Sequence, residues 1–162
     1  MGLLWNPANP IHESALKEVQ AAARTLGVQL QPVGLRDPKD FEREFLAMAR
    51  ARTEALYVLP DGMFLSQRKR IMDLAVKNRL PVAGGTREYA VAGGLMAYAT
   101  NLVDMHRRTA YLVDKILKGV KPADLPAERP TRFELVVNLK TAQALGLRIP
   151  QSLLLRADEV IQ

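Results

Sequence analysis

The chain has 162 residues, a mass of 18.0 kDa, 48% hydrophobic residues, no cysteine and a formal net charge of +6 at pH 7. That length supports one domain with a substantial core; the absence of cysteine excludes disulfides and thiolate metal sites, and no run reaches the ~20 apolar residues of a membrane-spanning helix. The basic balance invites a nucleic-acid partner, but Arg68-Lys69-Arg70 and Arg107-Arg108 sit inside helical patterns and are not interleaved with aromatics, as a single-strand stacking groove requires.

The chain opens in a strand. Met1–Trp5 is an apolar run, and Asn6-Pro7-Ala8-Asn9-Pro10 reads as the turn behind it. A helix follows from Ile11 to Leu26, with Ala15, Leu16, Val19, Ala22, Ala23 and Leu26 at helical spacing and Gly27 as the stop. Alternation over Val28–Val33 predicts a strand near the edge of a sheet. Asp37-Pro38 opens the next helix, with Asp37 as N-cap, Pro38 at the first helical position, and a stripe of Phe41, Phe45, Met48 and Ala49.

Ala55–Leu59 is a near-continuous apolar strand ended by Pro60-Asp61-Gly62, and a helix is predicted from Met63 to Asn78. Leu80–Ala83 is the next strand. A Gly-rich loop and a short helical turn at Arg87–Ala92 lead to a strand over Leu95–Tyr98. The helix from Asn101 to Lys118 is expected to bury Leu102, Met105, Thr109, Leu112, Val113 and Ile116, and Gly119 stops it. Pro122, Pro126 and Pro130 mark an extended connector, Phe133–Val137 a last strand, and Leu139–Leu145 and Ser152–Asp158 helical turns.

This order predicts an α/β fold: a Rossmann-like or flavodoxin-like three-layer α-β-α arrangement with a mostly parallel sheet. Residues 1–162 read as one domain, with 1–100 as the core lobe and 101–162 as helix, Pro-rich connector, last strand and terminal helices. Ligands in such sheets meet the carboxyl ends of the strands, which selects the loops Asn6–Pro10, Pro60–Gly62, Gly84–Glu88 (with Thr86 at its centre) and Tyr98–Asn101.

Several chemistries fail on these loops. A dinucleotide site or P-loop needs glycines and free N–H groups after the first strand, where this chain has Asn-Pro-Ala-Asn-Pro. A phospho-acceptor domain would use Asp61, but needs acidic Mg²⁺ ligands where Trp5-Asn6 stands. The two histidines, His12 in a first helical turn and His106 beside Arg107, have no nucleophile context and read as surface residues. No enzyme, cofactor or metal is therefore expected. A binder's toolkit remains: the helix start behind Asn6-Pro7 for an anionic group, Asp61 for an amine, and Trp5 and Tyr98 for an apolar body. Each also has a structural reading, Trp5 as core, Asp61 as a turn residue and Tyr98 as a packed strand residue.

The stretches "LWNPANP", "LYVLPDGMF", "REYAVAGGLMAYATNLVDMHRRTAYLVDKILKGVKPADLP" and "RFELVVNLKTAQALGLRIPQSLLLRADEVI" resemble the ABC-transporter substrate-binding protein family of the periplasmic type, in the branch associated with amino-acid-like ligands. The resemblance covers essentially the whole chain but only the second half of a two-lobed family member. It implies a first lobe and an export signal before the abrupt opening strand. Intact members are periplasmic; the chain as it stands carries no leader and would stay where it is made. The resemblance also implies a solute-binding lobe that closes on a small amino-acid-like solute and delivers it to an ABC permease. It sets Asn6, Pro7, Asp61, Tyr98 and Asn101 in ligand-facing loops, with Thr86 in the loop between. Where the family commonly reads "SYGPN", this chain has Ala97-Tyr98-Ala99-Thr100-Asn101. A lobe without its partner is expected to expose part of the Leu102, Met105, Leu112 and Ile116 stripe, with apolar groups around Trp5 and Tyr98, and so to form a homodimer. The alternatives are a self-associating remnant without a ligand and, behind it, a nucleic-acid-binding domain.

Overall fold

Why the chain forms one sheet is visible in the computed structural model, which describes residues 1–162. Seven strands, β1 (Gly2–Trp5), β2 (Gln31–Gly34), β3 (Leu56–Val58), β4 (Val82–Gly84), β5 (Met96–Thr100), β6 (Phe133–Asn138) and β7 (Glu159–Ile161), pair in the order β2-β1-β3-β4-β5-β6-β7. All neighbours are parallel except β5 and β6, which run antiparallel. The mostly parallel α/β fold expected from the sequence is present, with β2 at one edge.

The helices are α1 (Pro10–Thr25), α2 (Phe41–Arg50), α3 (Gly62–Ser66), α4 (Arg68–Lys77), α5 (Arg87–Val91), α6 (Leu102–Leu117), α7 (Leu139–Leu145) and α8 (Gln151–Leu154). One face of the sheet holds the main core: Leu4, Leu56, Val58 and Val82 meet Phe41, Phe45 and Met48 of α2, Phe64 of α3, Ile71, Met72 and Ala75 of α4, and Tyr89 of α5. Successive strand residues point to opposite faces. Leu3 and Leu4 are both fully buried, so both faces of β1 are covered.

Several details differ from expectation. The helix predicted over Met63–Asn78 is two, α3 and α4, broken at Gln67, whose ψ of 11° departs from the helical value. Asp37 does cap, accepting from Lys39 N at 2.9 Å, but Pro38–Asp40 is a 3-10 turn and α2 begins at Phe41. The second strand starts at Gln31 rather than Val28, and Ala22 and Leu26 of the α1 stripe face solvent. The three-residue β7 was not anticipated; its apolar signal is too short for periodicity to register.

At α6 the exposure expected of a lobe without its partner is present, and it extends over the whole helix. No residue of this helix is buried, and it makes no substantial packing contact with any other element. Leu102, Val103, Met105, Val113, Ile116 and Leu117 form an apolar half-cylinder, and all are exposed, Leu117 at 81%. The opposite half carries Asp104, Arg107, Arg108, Asp114, Lys115 and Lys118. The amphipathic pattern is as read, but the surface it should cover is not in reach. The chain leaves the sheet at Thr100 and re-enters at its ladder partner Phe133, with Asn101 N–H bonded to Arg132 O at 3.1 Å. Residues 101–132 are thus an excursion held at its base.

One face of β5 is left open in consequence. Ala97 and Ala99 are buried, but Tyr98 between them is 62% exposed. Its ring stacks on Phe133 at 5.7 Å.

Candidate functional site

The turn after β1 and the turn after β3 are adjacent because their strands pair in parallel register, Leu3 with Tyr57 and Leu4 with Val58. Asp61 joins them. Its Oδ1 accepts from Met63 N at 2.9 Å, capping α3. Its Oδ2 accepts from Asn9 Nδ2 at 2.9 Å, and Asn6 Nδ2 donates to both oxygens at 3.3 and 3.4 Å. Burial raises the carboxyl pKa, but the bonds from Asn9, Met63 N and Asn6, with a smaller contribution from His12, outweigh it and hold Asp61 below the usual carboxylate range.

Asn6 and Asn9 also shape their own turn. Asn6 Oδ1 accepts from Ala8 N at 2.9 Å, and Asn9 caps α1 by accepting from Ile11 N at 3.2 Å. Pro10 occupies the first position of α1, where a missing N–H costs nothing. Pro7 packs toward β2: a Cβ built on Gly34 would lie 3.0 Å from Pro7 Cγ.

His12, expected at the surface, is 2% exposed. It accepts at Nδ1 from Asn6 N–H at 2.8 Å, and its Nε2 lies 3.0 Å from Pro60 O. The sequence carried a signal for this: His12, Leu16, Val19 and Ala23 continue one stripe at i+4, i+3 and i+4 spacing. Asn9 was not singled out either, although it stands in the N-cap position before Pro10.

Farther along the edge, β4 ends in Gly84-Gly85 because neighbours crowd both positions. A Cβ on Gly84 would meet the Tyr89 ring at 2.4 Å, and one on Gly85 would meet Pro60 Cγ at 2.4 Å. This close approach brings the turn after β4 against the turn after β3. Thr86 follows in extended backbone at the start of α5. The hydroxyls of Thr86 and Tyr89 and Oε2 of Glu88 are buried and make no hydrogen bond within the chain. Burial, then the carboxylates of Asp61 and Glu88, push the Tyr89 phenol up.

The remaining candidates stand apart from Asp61's network. Asn101 Oδ1 caps α6 by accepting from Asp104 N at 2.8 Å, and its Nδ2 donates to Glu134 Oε2 at 2.9 Å. Tyr98 lies on the open face with Phe133. A cleft of about 820 Å³ between α6 and residues 128–132 includes Asn101, Arg107, Arg129 and Arg132, but not Asn6, Asp61 or Tyr98. The structure therefore brings Asn6 and Asp61 into direct contact, with Thr86 on the neighbouring turn. Tyr98 and Asn101 share only the strand end of β5.

No curated protein matches the sequence. The profile of the family described as ABC transporter substrate binding protein matches residues 1–161. Among solved structures, an ABC domain in complex with L-Trp from Streptococcus pneumoniae superposes with a TM-score of 0.90 at 24% identity, covering 99% of this chain and 54% of that one. A conserved domain protein from Vibrio cholerae gives a TM-score of 0.89 at 24% identity, covering 98% and 53%. A ligand-free, open substrate-binding protein with adhesive properties from Clostridium difficile gives 0.74 at 19% identity, covering 99% and 54%. The chain spans about half the length of each of these structures. At these identities the likeness is one of fold.

Proposed function

The chain belongs to the ABC transporter substrate-binding protein family, and from that premise we propose that it is a solute-binding lobe for a small amino-acid-like molecule, with no catalytic step of its own. The observation that carries this reading is the joined edge formed by Asn6, Asn9, His12, Pro60 and Asp61. It is a set of turns fixed in place before any ligand arrives, and such preorganisation lowers the entropy cost of binding. The L-Trp held by the Streptococcus pneumoniae protein supports the choice of solute class.

In this reading the solute lies against the turns after β1, β3 and β4, touching Asn6, Pro7, Asp61 and Thr86, with Tyr98 and Asn101 at the β5 side. Asp61 already accepts four hydrogen bonds from the chain, so it serves an amine by sharing its lone pairs and by its field. A second lobe completes the contacts by closing over the solute, and delivery is to a membrane permease. One lobe alone offers half of the contacts, so its affinity is weak.

The exposed apolar half of α6 supports a second statement about the same form: two copies associate, each supplying cover the other lacks. Isothermal calorimetry with L-tryptophan and a panel of amino acids tests the solute reading. Saturable heat for at least one of them, reduced in Asp61→Asn, is expected; a flat titration across the panel overturns it.

A further inference from the structure

We infer that His12 is a positioning residue whose hold on the site edge depends on its imidazole being neutral, so that acid releases the turn after β1. The inference concerns the edge to which the solute-binding reading assigns the ligand, and rests on that reading only for its consequence in binding.

The partners fix the tautomer. A backbone N–H can only donate, so Nδ1, 2.8 Å from Asn6 N, is unprotonated. A carbonyl oxygen can only accept, so Nε2, 3.0 Å from Pro60 O, carries the hydrogen. One neutral ring thus ties α1 to the turns after both β1 and β3. No other side chain in the chain bridges these two turns through their backbone groups.

A proton on Nδ1 would place two donors against each other, and the Asn6 N–H would lose its acceptor. The ring cannot answer by swinging into water, because it is 2% exposed and lies beside Phe64 of α3, 6.5 Å between centroids. The mobile partner is the turn. Asn6 would move, and with it the two bonds that Asn6 Nδ2 makes to Asp61. Asp61, in the turn after β3, is the charged group that faces His12; its carboxylate attracts the imidazolium and opposes release in part. Glu13, next along α1, is exposed, and from α3 the uncharged Phe64 ring lies beside the histidine.

The chain has two histidines, which makes the test direct. His106, exposed on α6 with no bond to either ring nitrogen, is the internal reference. Long-range proton–nitrogen NMR spectra on the full chain should show His12 as the Nε2–H tautomer at about pH 8, and hydrogen exchange should find the Asn6 amide protected. At about pH 5, after correction for intrinsic exchange rates, protection at Asn6 should fall by about tenfold or more while Leu4 is unchanged. In His12→Asn, whose amide oxygen can stand in for Nδ1, protection at Asn6 should be the same at both pH values. An Nδ1–H tautomer, or pH-independent protection at Asn6 in the native chain, overturns the inference. L-Tryptophan titrated at both pH values adds the binding arm. Loss of affinity on acidification in the native chain and not in His12→Asn links the latch to the site. Absence of binding at both pH values refutes the solute reading and leaves the tautomer and exchange results to decide the latch.

Discussion

Removing the Asp61 carboxylate should loosen the site edge and destabilise the chain together, because one side chain serves both. Asp61→Ala deletes the cap on α3, worth about 1 kcal/mol. It also leaves Asn6 and Asn9 without their acceptor, at about 0.5–1 kcal/mol for each partly exposed bond. The expected loss is about 2–3 kcal/mol at neutral pH. Asp61→Asn keeps one oxygen for Met63 N–H but turns an amide toward Asn6 and Asn9, and about half of that loss is expected. The pH dependence gives a second handle. The folded carboxyl is held below its ordinary value, so its ionised form contributes stability above the unfolded value and loses it as pH falls through the folded one. Urea unfolding of native and Asp61→Asn protein should therefore show a gap that is constant above about pH 5 and narrows below about pH 4. Equal stabilities at neutral pH, or a gap unchanged down to about pH 3, would refute the network as described.

Gly84→Ala should cost about 2–3 kcal/mol in urea unfolding, since its Cβ would stand 2.4 Å from the buried Tyr89 ring. Asn138 is 5% exposed, donates to Ala90 O at 3.0 Å and accepts from Thr141 N at 3.0 Å; Asn138→Ala should cost about 2–3 kcal/mol in the same assay. Light scattering should report species heavier than 18.0 kDa that grow with concentration. The double change Val113→Lys with Leu117→Lys should hold the chain at that mass and leave a melting temperature that no longer depends on protein concentration, because neither side chain packs on the chain's own core.

Element identity was legible wherever periodicity ran long enough. The α1, α2 and α6 stripes and the strand before Pro60-Asp61-Gly62 all carry several matching residues, and the turn prolines and glycines separate them. Boundaries were less legible: Val28 and Gln29 alternate like strand residues, yet Val28 N–H bonds back to Ala23 O at 2.8 Å as part of the α1 exit. Gln67 gave no sign of the break between α3 and α4, because nothing about a glutamine disfavours a helix. The α6 face is a different case. An amphipathic pattern states that a face wants cover but not which surface supplies it, and here Leu102 to Leu117 find none within the chain. At the site, Asn6 and Asp61 were legible because both follow strands that neighbour each other in the sheet. The i+4, i+3 stripe marks His12 as facing inward and the position before Pro10 marks Asn9 as a cap, but their partners Pro60 and Asp61 lie 48 and 52 residues away, and no local pattern encodes those pairings.

The central claim is that the carboxyl edge of β1, β3 and β4 receives a small solute. Amide shift mapping on the labelled chain during an L-tryptophan titration into the millimolar range tests it most directly, since weak binding by one lobe is still visible there. The account requires saturable shifts concentrated at Asn6, Asn9, Asp61 and Thr86, diminished in Asp61→Asn. Shifts absent throughout, or confined to α6 and residues 128–132, would contradict it.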